Sequence, residues 1–108
     1  AGVTPEWVQI GNEIPGGFLF PEGSYTNFSQ MVQLLNKGYD ATKLVFPTSK
    51  VVIHLDKGND NGLYRWFFDQ AVANGLKFDS VLIIAIIVLG ATLGLHDRTY
   101  AGISMVVA

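Results

Sequence analysis

The chain opens with Trp7-Val8-Gln9-Ile10-Gly11, a short apolar and β-branched run behind the breaker Thr4-Pro5, which predicts a buried strand ending near Asn12 and Glu13. From Ile14 to Ser24, two prolines and three glycines punctuate the chain, so this stretch reads as a long shaped loop. Phe28, Met31, Val32, Leu35, Tyr39, Thr42 and Phe46 then recur at three- and four-residue spacing. With Asn27 and Gln30 placed as N-cap and third-position partner, they predict an amphipathic helix that Pro47 stops. Residues 50–55, Lys-Val-Val-Ile-His-Leu, are apolar on both faces, as in a strand covered on both sides, and Asp56 stands at its tip.

A second helix is expected with Asn61 as cap, Leu63, Trp66, Phe67 and Ala71 on one face, and Asn74-Gly75 as stop. A third strand is expected from Phe78 through Ile84. Strand, helix, strand, helix, strand with right-handed crossovers gives three parallel strands whose polar tips share one edge. Residues 81–89 are uninterrupted apolar, but a membrane-spanning helix needs about 20 such residues, and Gly90, Thr92 and Gly94 dilute the next few positions. This run is read as a buried strand followed by loop, with no membrane as partner. His96 to Ala108 shows no usable period.

Composition narrows the picture further. With 108 residues, 49% of them hydrophobic, and a mean hydropathy of +0.31, the chain can bury one core. The net charge is −2 and the seven Lys and Arg are scattered singly, so no basic stripe marks a nucleic-acid partner. The absence of cysteine excludes disulfides, thiolate metal sites and thiol nucleophiles. The start Ala-Gly-Val-Thr-Pro carries no targeting signal, and a processed chain or an internal piece is expected.

In parallel barrels the catalytic groups gather at the C-terminal ends of strands, which is where Asn12, Glu13 and Asp56 fall. A carboxylate there serves as a proton donor once burial or a neighbouring carboxylate raises its pKa, and an adjacent amide can hold a sugar hydroxyl. His54, inside an apolar strand, is read either as a hydrogen-bonded structural histidine or as a ligand contact. Residues 56–61 resemble a calcium loop in composition. Gly58 and Asn61 break the ligand alternation, however, and Phe67 stands where the closing Glu is needed, so no metal site is expected. No phosphate-binding glycine fingerprint or Ser-His-Asp spacing is present, and no cofactor is expected. Trp66 and Phe67 are assigned to the core, Phe18 and Phe20 to sugar stacking. The sequon Asn27-Phe28-Ser29 is explained by the cap role of Asn27.

Residues 3–13, Val-Thr-Pro-Glu-Trp-Val-Gln-Ile-Gly-Asn-Glu, closely resemble the fourth-strand segment of glycoside hydrolase family 53, the arabinogalactan endo-β-1,4-galactanases. The resemblance continues through Phe20-Pro21-Glu22-Gly23, Gly38-Tyr39-Asp40-Ala41, Val52-Ile53-His54-Leu55-Asp56 and residues 63–69, Leu-Tyr-Arg-Trp-Phe-Phe-Asp, covering roughly residues 1–80. It implies an α/β fold, a partial (β/α)8 barrel of about strands four to six, with 1–80 its central part and 81–108 an apolar strand and divergent tail. It implies a secreted retaining endo-hydrolase acting on β-1,4-galactan, with Glu13 as catalytic acid/base and Asn12, His54 and Asp56 as substrate-binding residues.

Two departures qualify this. A whole barrel needs about 250 residues, so the strand carrying the nucleophilic Glu is expected outside this chain. The aromatic Ser-Tyr-Tyr-Pro-like stretch of the family's sixth strand is replaced by Ile83-Ile84-Ala85-Ile86-Ile87-Val88. The expectation is therefore a galactanase fragment without turnover of its own, prone to self-association through exposed sheet edges. The alternative is a non-catalytic carbohydrate-binding or assembly fragment.

Overall fold

The computed structural model describes residues 2–85 and 103–107. Strand β1 (Trp7–Ile10) leads through the loop and a single 3-10 turn at Tyr25–Asn27 into helix α1 (Phe28–Val45). Strand β2 (Lys50–Leu55), helix α2 (Asn61–Ala73), strand β3 (Ser80–Ala85) and strand β4 (Ile103–Val107) complete the order. The sheet order is β1-β2-β3-β4. The first three strands are parallel, with Ile10 beside Ile53 and Ile53 beside Val81.

β4 runs antiparallel to β3, Val81 facing Val107 and Ala85 facing Ile103. The three expected strands are parallel, and β4 adds an antiparallel fourth in a stretch where the sequence shows no usable period. The third strand starts at Ser80, two residues later than expected, because Asp79 is held outside it by a side-chain bond to the Val51 amide. The residues between β3 and β4, including the apolar positions 86–89, lie outside the described part. Among the described residues no helix is long and apolar enough to cross a membrane.

α1 forms where the periodicity places it. Asn27 Oδ1 accepts from the Gln30 amide at 3.4 Å and Asn27 Nδ2 donates to Gln30 Oε1 at 2.8 Å, the reciprocal bonding of a capping box. Phe28, Met31, Val32 and Leu35 turn inward. Gly38 lets the helix lie on β1, since a Cβ there would sit 2.9 Å from Ile10 Cγ2.

The cap of α2 is Asp60 rather than Asn61. Its Oδ1 accepts from the Leu63 amide at 2.9 Å, and a carboxylate complements the positive end of the helix better than the amide one place later. Asn74-Gly75 stops the helix as expected, with the Leu76 and Gly75 amides bonding to Ala71 and Val72 carbonyls.

One core lies between the helices and the sheet. Ile53 and Leu55 of β2 meet Phe28, Met31, Val32 and Leu35 of α1, Phe67 and Ala71 of α2, and Ile14 of the loop. Phe67 is fully enclosed, edge-on to Phe28 at 5.2 Å and to Phe68 at 5.5 Å. Trp66, expected in the core, is 37% exposed and packs edge-on against Tyr25 and Phe28 at the rim, one helical position off the buried stripe.

β2 is buried from Val51 to Leu55, as a two-sided apolar strand requires. β1 is not buried as expected. Trp7 is 45% exposed and Gln9 is exposed, because among the described residues β1 is an outer strand that pairs with β2 alone.

The N-terminal edge of the sheet is tied by charge and hydrogen bonds. Asp79 pairs with Lys43 at 2.7 Å, accepts from the Val51 amide at 2.8 Å and from the Tyr39 hydroxyl at 3.3 Å. Lys43 also donates to the Ser49 carbonyl at 2.7 Å, and the buried Ser49 hydroxyl donates to the Pro5 carbonyl. Desolvation works against the charge of Asp79. The bonds from Lys43 and Val51, the Lys43 charge and the Tyr39 hydroxyl outweigh it and hold the carboxyl below the ordinary aspartate range.

Candidate active site

At the opposite edge, β1 ends at Ile10 and the chain makes a tight turn over Gly11, Asn12, Glu13 and Ile14. Gly11 has φ +76°, and a Cβ on it would lie 2.5 Å from Ile14 Cγ2, so only glycine lets the turn close. Ile14 is fully buried and anchors the far end of the turn in the core. Asn12 and Glu13 are left exposed at its apex. Glu13 itself has φ +50°, a left-handed conformation that costs an L-residue about 1–2 kcal/mol.

His54 closes the turn from β2. Successive strand side chains alternate in direction, so with Ile53 and Leu55 in the helix-covered core, His54 occupies the other face of the sheet, where it is 2% exposed. Its Nδ1 lies 3.0 Å from Asn12 Oδ1 and 3.3 Å from the Glu13 amide nitrogen, and its main-chain oxygen accepts from the Ile14 amide at 3.2 Å. Gln9 completes the ring, its Nε2 donating to the Gly11 carbonyl at 2.7 Å and to Asn12 Oδ1 at 3.2 Å.

Asp56 stands at the next strand tip, with Oδ1 buried and unpartnered. The Tyr64 hydroxyl lies 3.1 Å from both the Leu55 and the Asp56 carbonyl oxygens. Burial, and then the negative charge of Asp56, raise the Tyr64 pKa above the ordinary tyrosine value. The residue after Asp56, Lys57, has φ +54°. Among the described residues, the non-glycine positions with positive φ are Glu13, Leu19 and Lys57, all in the loops after β1 and β2. His54 Nε2, like Asp56 Oδ1, is buried without a hydrogen-bond partner. Backbone strain and unsatisfied polar atoms thus concentrate at one edge, the pattern of a site arranged for a ligand rather than for stability.

The structure brings Asn12, Glu13 and His54 into one network and puts Asp56 at the neighbouring tip. Gln9 and Tyr64 belong to the same edge and were not found in the sequence. Gln9 is a lone polar residue two positions before Gly11, on the face that Asn12 folds back over, which is a signal visible only once the turn is known. Phe18 packs against the core, while Phe20 of the same loop is exposed. On a fixed apex, an exposed glutamate can donate a proton when protonated and accept one when ionised, and the oriented amide beside it can hold hydroxyls.

The sequence model of the family described as Glycosyl hydrolase family 53 matches residues 1–85, slightly more than the roughly 1–80 that the resemblance covers. An arabinogalactan endo-beta-1,4-galactanase of Thermothelomyces thermophilus is 36% identical over 77 residues, covering 69% of this chain and 23% of that protein. A glycosyl hydrolase family 53 catalytic domain from Ignisphaera aggregans superimposes with a TM-score of 0.71 at 43% identity, over 75% of this chain and 22% of that one. A fungal beta-1,4-galactanase structure gives 0.71 at 34% identity, over 77% of this chain and 27% of that one. The chain spans about a quarter of the length of these relatives.

Proposed function

The chain belongs to glycosyl hydrolase family 53, and on that premise we propose that it is the central part, about strands four to six, of the (β/α)8 barrel of an endo-β-1,4-galactanase acting outside the cell. The observation that carries this is the Asn12-Glu13 pair, held at the C-terminal tip of a parallel strand by the buried His54 of the next. Glu13 is the acid/base, Asn12 and Asp56 line the galactan cleft, and His54 joins that binding group through the Asn12 amide.

Retaining hydrolysis needs a second carboxyl about 5–5.5 Å from the first, to attack the anomeric carbon while the acid protonates the leaving oxygen. Glu6 precedes β1, at the N-terminal edge, where its carbonyl accepts from the Lys50 amide. Glu22 lies exposed in the loop. Asp79 is engaged with Lys43 at that same opposite edge. The resemblance to the family implies a nucleophilic Glu on a later strand, and on that ground the nucleophile is assigned beyond the described residues.

The 108-residue chain assayed on pure β-1,4-galactan should release no oligosaccharide, and release would overturn the assignment of an external nucleophile. Calorimetry with galacto-oligosaccharides separates the alternative. Binding by the chain that Glu13→Gln leaves unchanged favours a carbohydrate-binding fragment, for which the acid is dispensable. The open outer side of β1 presents unpaired backbone groups, and self-association of the chain through that edge is part of this reading.

A further inference from the structure

His54 touches three consecutive residues of the Gly11–Ile14 turn, through its ring to Asn12 and Glu13 and through its carbonyl to Ile14. We propose that His54 is a positioning residue that acts through Nδ1, clamping the Asn12-Glu13 apex so that the Glu13 carboxylate is held in one direction, and that its ring is not itself a sugar contact. The proposal rests on the reading of Glu13 as acid/base.

Three observations support it. The ring is 2% exposed, and the nitrogen facing the turn is the one with partners, while Nε2 has none. Glu13 sits at φ +50°, a conformation that relaxes unless its neighbours hold it. Two of the fastenings that hold it, the Ile14 amide bond and the Glu13 amide bond, both end on His54, and the third is the burial of Ile14.

The chemistry of Nδ1 sharpens the idea. A backbone amide only donates, so the bond from Glu13 needs the lone pair of Nδ1 and places the ring proton on Nε2. Asn12 Oδ1 already accepts from Gln9, so its approach to the ring needs the proton on Nδ1 instead. One nitrogen cannot do both at once. The tautomer of His54 therefore decides whether the amide or the acid of the pair is the more tightly held.

Two substitutions separate Nδ1 from Nε2. His54→Asn keeps an amide near the position of Nδ1, and His54→Gln keeps one near Nε2. The readout is hydrogen exchange of the Glu13 amide in the 108-residue chain by nuclear magnetic resonance. In the wild-type chain this amide should exchange at least about tenfold more slowly than an open amide; His54→Asn should retain most of that protection and His54→Gln should lose it. The Val51 amide, bonded to Asp79 at the far edge, reports whether each variant is folded.

An unprotected Glu13 amide in the wild-type chain overturns the proposal without any variant. So does protection kept by Gln and lost by Asn, which would assign the role to Nε2. If both variants unfold, the wild-type measurement decides. None of these readouts needs turnover, so a failure of the clamp, read in amide exchange, is told apart from a failure of the galactanase reading, read in hydrolysis.

Discussion

At the N-terminal edge of the sheet, Asp79 takes hydrogen bonds from Lys43, Tyr39 and the Val51 amide, whereas at the C-terminal edge His54 Nε2 and Asp56 Oδ1 are buried with no partner. The same three parallel strands supply both ends. One end pairs Asp79 with Lys43 and, among the described residues, has no non-glycine residue at positive φ. The other carries Glu13 and Lys57 in left-handed conformations and keeps polar atoms unsatisfied. In barrels the C-terminal face carries chemistry and the opposite face carries stability, and the proposed site lies on the edge where the strained and unpartnered groups collect.

Substitutions can break this contrast or sharpen it. The largest effect is expected where the two edges share a foundation. Phe67→Ala removes a fully buried ring and should cost about 3–5 kcal/mol in chemical denaturation. Amide protection at Val51 and Glu13 should be lost together, and separate loss would mean the edges fold independently. Next, Asp79→Ala leaves Lys43 and the Val51 amide without their acceptor and should cost about 2–3 kcal/mol. Glu13 amide protection should survive wherever the chain remains folded.

The same group sets an acid response. The folded pKa of Asp79 lies below its unfolded value, so its contribution is complete above the ordinary aspartate range and is lost as the pH falls through the lowered value. Asp79→Asn should flatten that part of the denaturation midpoint against pH.

At the other edge the sign reverses. Glu13→Gly relieves the left-handed backbone and should raise stability by up to about 1 kcal/mol while removing the proposed acid. A fall in stability would place the Glu13 side chain among the stabilising contacts. The smallest effect belongs to Tyr64, whose raised pKa makes stability decline as the pH climbs past the ordinary tyrosine value toward the folded one. Tyr64→Phe should abolish that alkaline decline at a cost of about 1 kcal/mol at neutral pH.

The legible parts of the fold were those governed by local rules. α1 and its Asn27 cap come from periodicity and cap chemistry, and β2 from five consecutive residues that are buried. The exposed flank of β1 was not legible, because Trp7 read as part of a buried strand and nothing local says that a strand has a neighbour on one side only. Trp66 misled for the same reason: an aromatic near an apolar stripe reads alike whether it is enclosed or lies at the rim. Of the site, Asn12, Glu13 and Asp56 could be placed by their position after strands. The ring that unites Asn12 and Glu13 with Gln9 and His54 depends on the parallel register of β1 and β2, which sets Ile10 beside Ile53 and which no short-range pattern encodes.

β4 gives the sheet a direction of growth. By pairing antiparallel on the outer side of β3, it ends the parallel run there, and β1 is left as the side on which another parallel strand can add. Asn12 and Glu13 lie just past the end of β1, so whatever strand docks there also builds the facing wall of their cleft. On the proposed reading, extending the sheet and completing the site would be a single event, and the two would share one concentration dependence.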